Sequence, residues 1–111
     1  MKPRKINVVF CSDPARRRIL TAALAVRLGF ARTRSDARKI IVPVVDEGVL
    51  ATDPYFVLAD FLDFRHSTEL VARLYSLANA GIAVVVGTSY LPEKYRFLCE
   101  VWYESDLMKV S

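Results

Sequence analysis

Three consecutive arginines stand where an apolar segment gives way to a helical pattern. The stretch FCSDPARRRIL, residues 10–20, places Arg16, Arg17 and Arg18 just after a run that is typical of a buried strand. Turns between a strand and a helix often bind phosphate, because backbone N–H groups and the helix dipole both favour an anion there. Two interpretations are open: a phosphate-binding loop, or a capped helix with a charged surface. On the second, the arginine side chains rather than the backbone have the capacity to contact phosphate.

The charge is distributed unevenly along the chain. Residues 1–39 carry eleven Lys and Arg against two Asp, a net charge of +9, whereas residues 40–111 carry five bases against ten acids, a net charge of −5. A basic segment of this kind indicates an anionic partner, most commonly DNA or RNA. Mutual neutralisation of the two halves within the fold is the alternative. On the first interpretation, the phosphate-contacting residues are Arg16, Arg17, Arg18, Arg32, Arg34, Arg38 and Lys39.

The bulk composition fits one compact domain over residues 1–111. Hydrophobic residues make up 53% of the 111 positions, which argues against disorder. The longest apolar runs, such as IIVPVV at 40–45, are far shorter than the roughly 20 residues that cross a bilayer. The start MKPRKINVVF does not have the apolar core of a signal peptide. We therefore expect a cytoplasmic protein without a membrane partner. The absence of Gln and the preference for Arg over Lys suit a heat-adapted source.

Cysteine and histidine are too few and too far apart to indicate a metal site. Cys11 and Cys99 are expected to be small buried side chains, with a disulfide between them as the alternative. His66, directly before a predicted helix, is an alternative candidate for general acid or base chemistry.

The apolar pattern predicts alternating strands and helices. KINVVFC, residues 5–11, reads as a buried strand, and Asp13 or Ser12 caps a helix that begins at Pro14 and stops at Gly29. A short helix capped by Thr33 follows, and IIVPVV at 40–45 is predicted to be a second strand.

The second half of the chain continues this alternation. Residues 49–65 are predicted to form a loop with a short helix. The next helix starts at Ser67 or Thr68 and ends at Gly81, and IAVVVGTS reads as an interior strand. A last strand is expected within residues 95–105. These elements predict a single three-layer α/β domain, with a mostly parallel sheet of about four strands flanked by helices.

A strand, a turn, a helix and then an apolar segment that ends in Asp46 and Glu47 resemble the core of P-loop NTPases of the RecA and ABC type. The helix and strand over ELVARLYSLANAGIAVVVGTS and the closing EVWYESDLMKV are similar to later elements of that core. The positions of the loop glycines hold Ser12 and Arg17 instead, so the resemblance implies a degenerate core. It would make Asp46 a metal-holding residue and Glu47 a water-activating one, with ATP and magnesium as cofactors.

A second, local resemblance covers residues 27–41, RLGFARTRSDARKII. This segment is similar to the helix pair of the ribosomal-type (S-four-like) RNA-binding domain. The resemblance implies that Arg32, Arg34, Arg38 and Lys39 contact RNA phosphates.

Aromatic residues concentrate in the tail. Tyr95, Phe97, Trp102 and Tyr103 could stack on bases, or could form a surface through which two copies associate as a homodimer. The sequence thus leaves three hypotheses: a nucleic-acid or other polyanion-binding protein, a reduced nucleotide-binding protein or ATPase, and a non-enzymatic homodimeric interaction protein. The second of these is the enzymatic one.

Overall fold

The described chain alternates strands and helices from its first strand to its last. A computed structural model describes residues 5–46, 48, 56–65 and 68–107. The elements in chain order are β1 (Ile6–Phe10), α1 (Pro14–Arg27), α2 (Arg34–Ile40), β2 (Phe56–Ala59), α3 (Thr68–Asn79), β3 (Ala83–Thr88), a 3-10 helix (Glu93–Leu98), β4 (Cys99–Trp102) and the short helix α4 (Glu104–Leu107).

The four strands form one parallel sheet in the order β2-β3-β1-β4. Val8 of β1 lies beside Val86 of β3 on one side and beside Val101 of β4 on the other. β1 and β3 are the interior strands, and all of their residues are buried or half-buried, as expected for strands covered on both faces. The prediction of an α/β domain with a parallel sheet of about four strands is confirmed.

Helices cover both faces of the sheet. On one face, Leu20 and Leu24 of α1 pack against Val9 and Val85, together with residues of α2 and α4. On the other face, Leu70, Val71 and Leu74 of α3 pack against alternate strand residues, including Ile6, Val8, Val57 and Val84. The side-chain period of two along each strand thus divides the apolar residues between two cores and produces three layers.

The ends of α1 follow the predicted signals. The Asp13 carboxylate accepts a hydrogen bond from the Ala15 N–H at 2.9 Å, and Pro14 occupies the first helical position. After Arg27 the chain turns at Gly29, whose φ of 88° lies in the left-handed region that favours glycine. Thr33 then caps α2 by accepting from the Asp36 N–H at 3.1 Å.

Two predicted elements are wrong in the middle of the chain. Residues 40–45 do not form a strand: Val42 alone makes an isolated parallel bridge to Ala59, and Pro43 next to it has no N–H to extend the ladder. The strand is β2 instead, within the described part of the segment 49–65 that we expected to be a loop and a short helix; residues 49–55 of that segment lie outside the described residues. The residues of this strand, FVLA, belong to both cores, so both faces are covered. Such a strand shows no alternation of apolar and polar residues, and a short apolar run therefore does not identify it as a strand.

The C-terminal strand is shorter than predicted. It covers Cys99–Trp102 only, because residues Glu93–Leu98 form a 3-10 helix that buries Tyr95 against Phe64.

No helix in the described part of the chain is long and apolar enough to span a membrane. Cys99 is buried and Cys11 is half-buried, and both are free thiols.

Candidate phosphate-binding groove

The three arginines of the first turn of α1 point in three different directions. Successive residues of an α-helix are rotated by about 100°. Arg16 faces α4, Arg17 faces the sheet and Arg18 faces α2. The triplet is therefore not one cationic surface, and each arginine has a different environment.

Arg17 is a structural residue inside the fold. It is 5% exposed, and its guanidinium donates to the carbonyl oxygens of Asp60 at 2.9 Å and Cys11 at 3.0 Å. Its Nε lies 3.5 Å from Asp60 Oδ1, an ion pair that is too long for a hydrogen bond. Its guanidinium also lies 5.2 Å from the centre of the Phe61 ring. Arg17 joins the carboxyl ends of β1 and β2 and cannot contact an external phosphate.

Gly87 makes room for this arginine. Gly87 belongs to β3 and lies beside Val9 of β1. A Cβ at Gly87 would be 2.3 Å from the carbonyl oxygen of Asp60 and 2.8 Å from Arg17 Cγ. Arg17 thus crosses the end of β3 in van der Waals contact with its backbone, and only glycine leaves the space.

The location that Arg17 fills is the usual ligand crevice of open parallel sheets. The chain leaves β1 toward one face and leaves β3 toward the other, and ligands commonly bind between the ends of two such strands. Here the side chain of Arg17 occupies that crevice. The Asp13 carboxylate is already bound to a first-turn N–H of α1, so this N–H is not available to a phosphate.

Arg16 lies on the opposite side of α1 from α2. It forms an exposed ion pair with Glu104 of α4. Further along the same side, Arg27 donates to the Asp106 carbonyl at 3.2 Å and lies over the Trp102 ring. These contacts hold α4 against α1. The charge of Arg16 is partly neutralised by Glu104.

Arg18 and α2 form a groove that is lined almost entirely by cations. The groove has a volume of about 400 Å³, and its lining residues are Arg18, Arg34, Ser35, Arg38 and Lys39. No carboxylate is among these five residues. Four positive charges and one hydroxyl in a groove of this size are suited to binding an anion.

The position of α2 explains why its cations share this groove. Its buried residue is Ala37, which packs into the core beneath α1 and fixes which side of α2 faces inward. Arg34 and Arg38 are separated by four residues and therefore lie on one side of the helix. Both are exposed, as are Ser35 and Lys39.

Arg18 differs from the other cations of the groove because it is half-buried. Its Nε is inaccessible to water and has no hydrogen-bond partner in the described structure. Ordinarily such a buried donor is paired, since an unpaired one costs about 1–3 kcal/mol. This unpaired donor was not foreseeable from the sequence.

The remaining predicted site residues that the structure describes do not line the groove. Arg32 is exposed in the segment between α1 and α2 but is not a lining residue. Asp46 is exposed. Glu47 and His66 lie outside the described residues. The structure therefore brings together four of the seven expected phosphate-contacting residues.

The aromatic residues of the tail are dispersed. Tyr95 is buried, and Trp102 is half-buried, with its Nε1 donating to Asn7 Oδ1 at 3.2 Å. Phe97 and Tyr103 are 71% and 43% exposed. Neither of them lines the cationic groove, so base stacking and phosphate contact would not occur at one surface.

A larger cavity of about 750 Å³ lies at the amino end of the sheet. Its lining includes Lys5, Asn7, Phe30, Cys99 and Glu100. Asn7 is engaged with the Val84 carbonyl, and burial raises the pKa of the Cys99 thiol to about 11, with nearby Lys5 opposing the rise. The thiol is therefore protonated at neutral pH, and the polar groups do not form a reactive set.

Comparisons with other proteins do not assign the groove. Within the described ranges, no three His, Cys, Asp or Glu side chains could hold a metal ion together. No protein-family model matches this chain, and no curated protein and no solved structure matches it either.

Proposed function

We propose that this protein binds DNA or RNA, through the phosphate backbone, in the groove between α1 and α2. The observation that carries the proposal is the lining of the groove: Arg18, Arg34, Arg38 and Lys39 with the Ser35 hydroxyl and no acid. The phosphates of DNA or RNA place regularly spaced negative charges along one polymer, and the cations of the groove can contact several of them.

The uneven charge of the chain is not cancelled within the fold at this surface. Among the described residues, the acids that pair with cations of the first third are Glu104, with Arg16, and Asp60, with Arg17. Among the described residues, no acid forms an ion pair with the three groove cations of α2, Arg34, Arg38 and Lys39. Four like charges at short range repel one another, and an anionic ligand removes that repulsion.

Binding of this type gives affinity without base specificity. Each phosphate that a cation contacts releases condensed counterions, so affinity falls steeply with salt. Four contacts correspond to a loss of roughly a hundredfold in affinity between 50 and 200 mM salt. We further propose that the protein binds this partner in the cytoplasm.

The direct test is a charge-matched pair of double variants. Arg38→Ala with Lys39→Ala removes two charges from the groove, and Lys94→Ala with Arg96→Ala removes two exposed charges from the 3-10 helix. The first should weaken binding to a 20-base-pair DNA duplex at 50 mM salt by more than tenfold, and the second by less than threefold. Equal losses would show that the groove is not the site.

Nucleotide binding at the turn after β1 is an alternative proposal. Arg17 fills the crevice, and Asp13 places a carboxylate where the phosphates would lie. Adding millimolar ATP with Mg²⁺ and recording thermal unfolding tests it. A rise in Tm that requires both Asp46 and Glu47 would support the nucleotide and count against the groove as the main site.

Self-association through β4 is a separate proposal, favoured by one observation. β4 is at the edge of the sheet, and two exposed aromatic residues, Phe97 and Tyr103, flank it. Sedimentation at two protein concentrations, with Phe97→Ser as the comparison, tests whether a homodimer forms there. A monomer at both concentrations removes this proposal and leaves nucleic-acid binding unaffected.

A further inference from the structure

We infer that the groove contains one discrete oxyanion subsite, in which Arg18 donates two hydrogen bonds to a single phosphate, while the cations of α2 act as point charges. This inference rests on the proposed function and says which residue anchors the polymer. It begins from a difference among the cations of the first turn of α1. Arg16 is paired with Glu104, and Arg17 donates from its Nε and one terminal nitrogen to carbonyl oxygens. Arg18 alone in the triplet faces the groove.

The unpaired Nε of Arg18 indicates that this side chain is incomplete without a ligand. The Nε atom is buried, the residue as a whole is half-buried, and Nε has no hydrogen-bond acceptor among the described residues. An exposed guanidinium is satisfied by water and gains little from a new partner. Arg18 has a donor that water does not reach, so a small rotation that turns its Nε–H edge to an anion in the groove gains a hydrogen bond at little desolvation cost.

The backbone beneath Arg18 is held in place before any ligand arrives. Asp13 caps the helix one turn earlier, and Arg17 is fastened to the ends of β1 and β2. Gly87 allows that fastening at the closest possible approach. A side chain on such a fixed turn loses less conformational freedom on binding than one on a mobile segment. The buried contacts of Arg17 therefore fix the helix backbone from which Arg18 reaches the groove.

The chemistry of the ligand follows from the donors. A guanidinium presents two parallel N–H bonds to two oxygens of one group, which fits phosphate and which lysine cannot reproduce. Ser35 provides a hydroxyl in the same groove. The subsite therefore fits one phosphate group, with Arg34, Arg38 and Lys39 placed to contact neighbouring phosphates of the same polymer.

The test applies the same substitution at three positions. Arg18→Lys, Arg34→Lys and Arg38→Lys each keep the charge and remove the two-bond donor. Arg18→Lys should weaken binding of the 20-base-pair duplex by about 10- to 100-fold, the value of one charge-assisted hydrogen bond. The other two should change it by less than threefold. The salt dependence should be unchanged in all three, because no charge is lost.

The outcomes separate this inference from the proposed function. If the wild-type protein binds and the three variants lose affinity equally, the subsite does not exist, but the groove still binds nucleic acid. If the wild-type protein does not bind at 50 mM salt, both proposals are refuted. A loss confined to Arg18→Lys supports both.

A measurement on the wild-type protein does not depend on how the variants fold. Arginine Nε–H resonances are followed by NMR while pyrophosphate is added at low salt. One resonance should shift far more than the others, and it should be missing from the spectrum of Arg18→Lys. Similar small shifts of several resonances would overturn the inference.

Discussion

Replacing Arg17 with Met should destabilise the protein strongly, although the residue belongs to a run of arginines that looks like a charged surface. Methionine fills a similar volume but leaves the carbonyl oxygens of Asp60 and Cys11 without their donor. It also leaves the Asp60 carboxylate, 15% exposed, without its cation. Removing one partner of a buried pair costs about 3–5 kcal/mol. Because the carboxylate is partly exposed and 3.5 Å from Nε, we expect about 2–4 kcal/mol.

Urea and thermal unfolding measure this cost. For a chain of 111 residues, each kcal/mol lowers Tm by about 4 °C, so Arg17→Met should lower Tm by roughly 8–16 °C. Arg16→Met is the matched control, since it removes only an exposed ion pair with Glu104 and should cost less than about 1 kcal/mol. Adding Asp60→Asn to Arg17→Met should restore part of the loss. A cost within 1 kcal/mol of the control would refute the assignment of Arg17 as a structural residue.

Two further predictions concern the same sheet. Gly87→Ala should lower the free energy of unfolding by about 2–3 kcal/mol or more, because the added Cβ would lie 2.3 Å from the Asp60 carbonyl oxygen. Urea unfolding, analysed for both midpoint and m-value, measures this loss. An unchanged free energy of unfolding would contradict the close contact between Gly87 and Asp60. Burial raises the pKa of the Cys99 thiol from 9.0 to about 11, so its contribution to the free energy of unfolding should be complete below pH 9 and decline as pH rises from 9 to 11. Cys99→Ala should show a smaller decline over that range, and parallel pH profiles would count against it.

The local signals of the sequence predicted the helices well because each signal has a local physical cause. Asp13, Pro14 and Gly29 set the ends of α1 through caps and backbone conformation, and Thr33 does the same for α2. Strand identity in the middle of the chain depends instead on tertiary contacts. The runs at 40–45 and 56–59 are both apolar. Pro43 interrupts the ladder of the first, but that the second pairs with β3 is a tertiary contact that no local pattern encodes.

The candidate site was only partly predictable for a similar reason. Charge density identified the cations, including Arg18, Arg34 and Arg38, but not their directions. The helical rotation of about 100° per residue separates Arg16, Arg17 and Arg18, yet knowing which of them is buried requires knowing where the sheet lies. Gly87 is 70 residues away from Arg17 in the sequence, and the space that it leaves is visible only once β3 is placed beside β1.

The salt dependence of duplex binding tests the central claim most directly. The logarithm of the affinity for a 20-base-pair DNA duplex is plotted against the logarithm of salt concentration for the wild-type protein and for the Arg38→Ala, Lys39→Ala double variant. Four groove contacts predict a slope of about −3.6 for the wild type, less steep by about 1.8 in the variant. Equal slopes for the two proteins, or a wild-type affinity that is independent of salt, would contradict binding of phosphate in the α1–α2 groove.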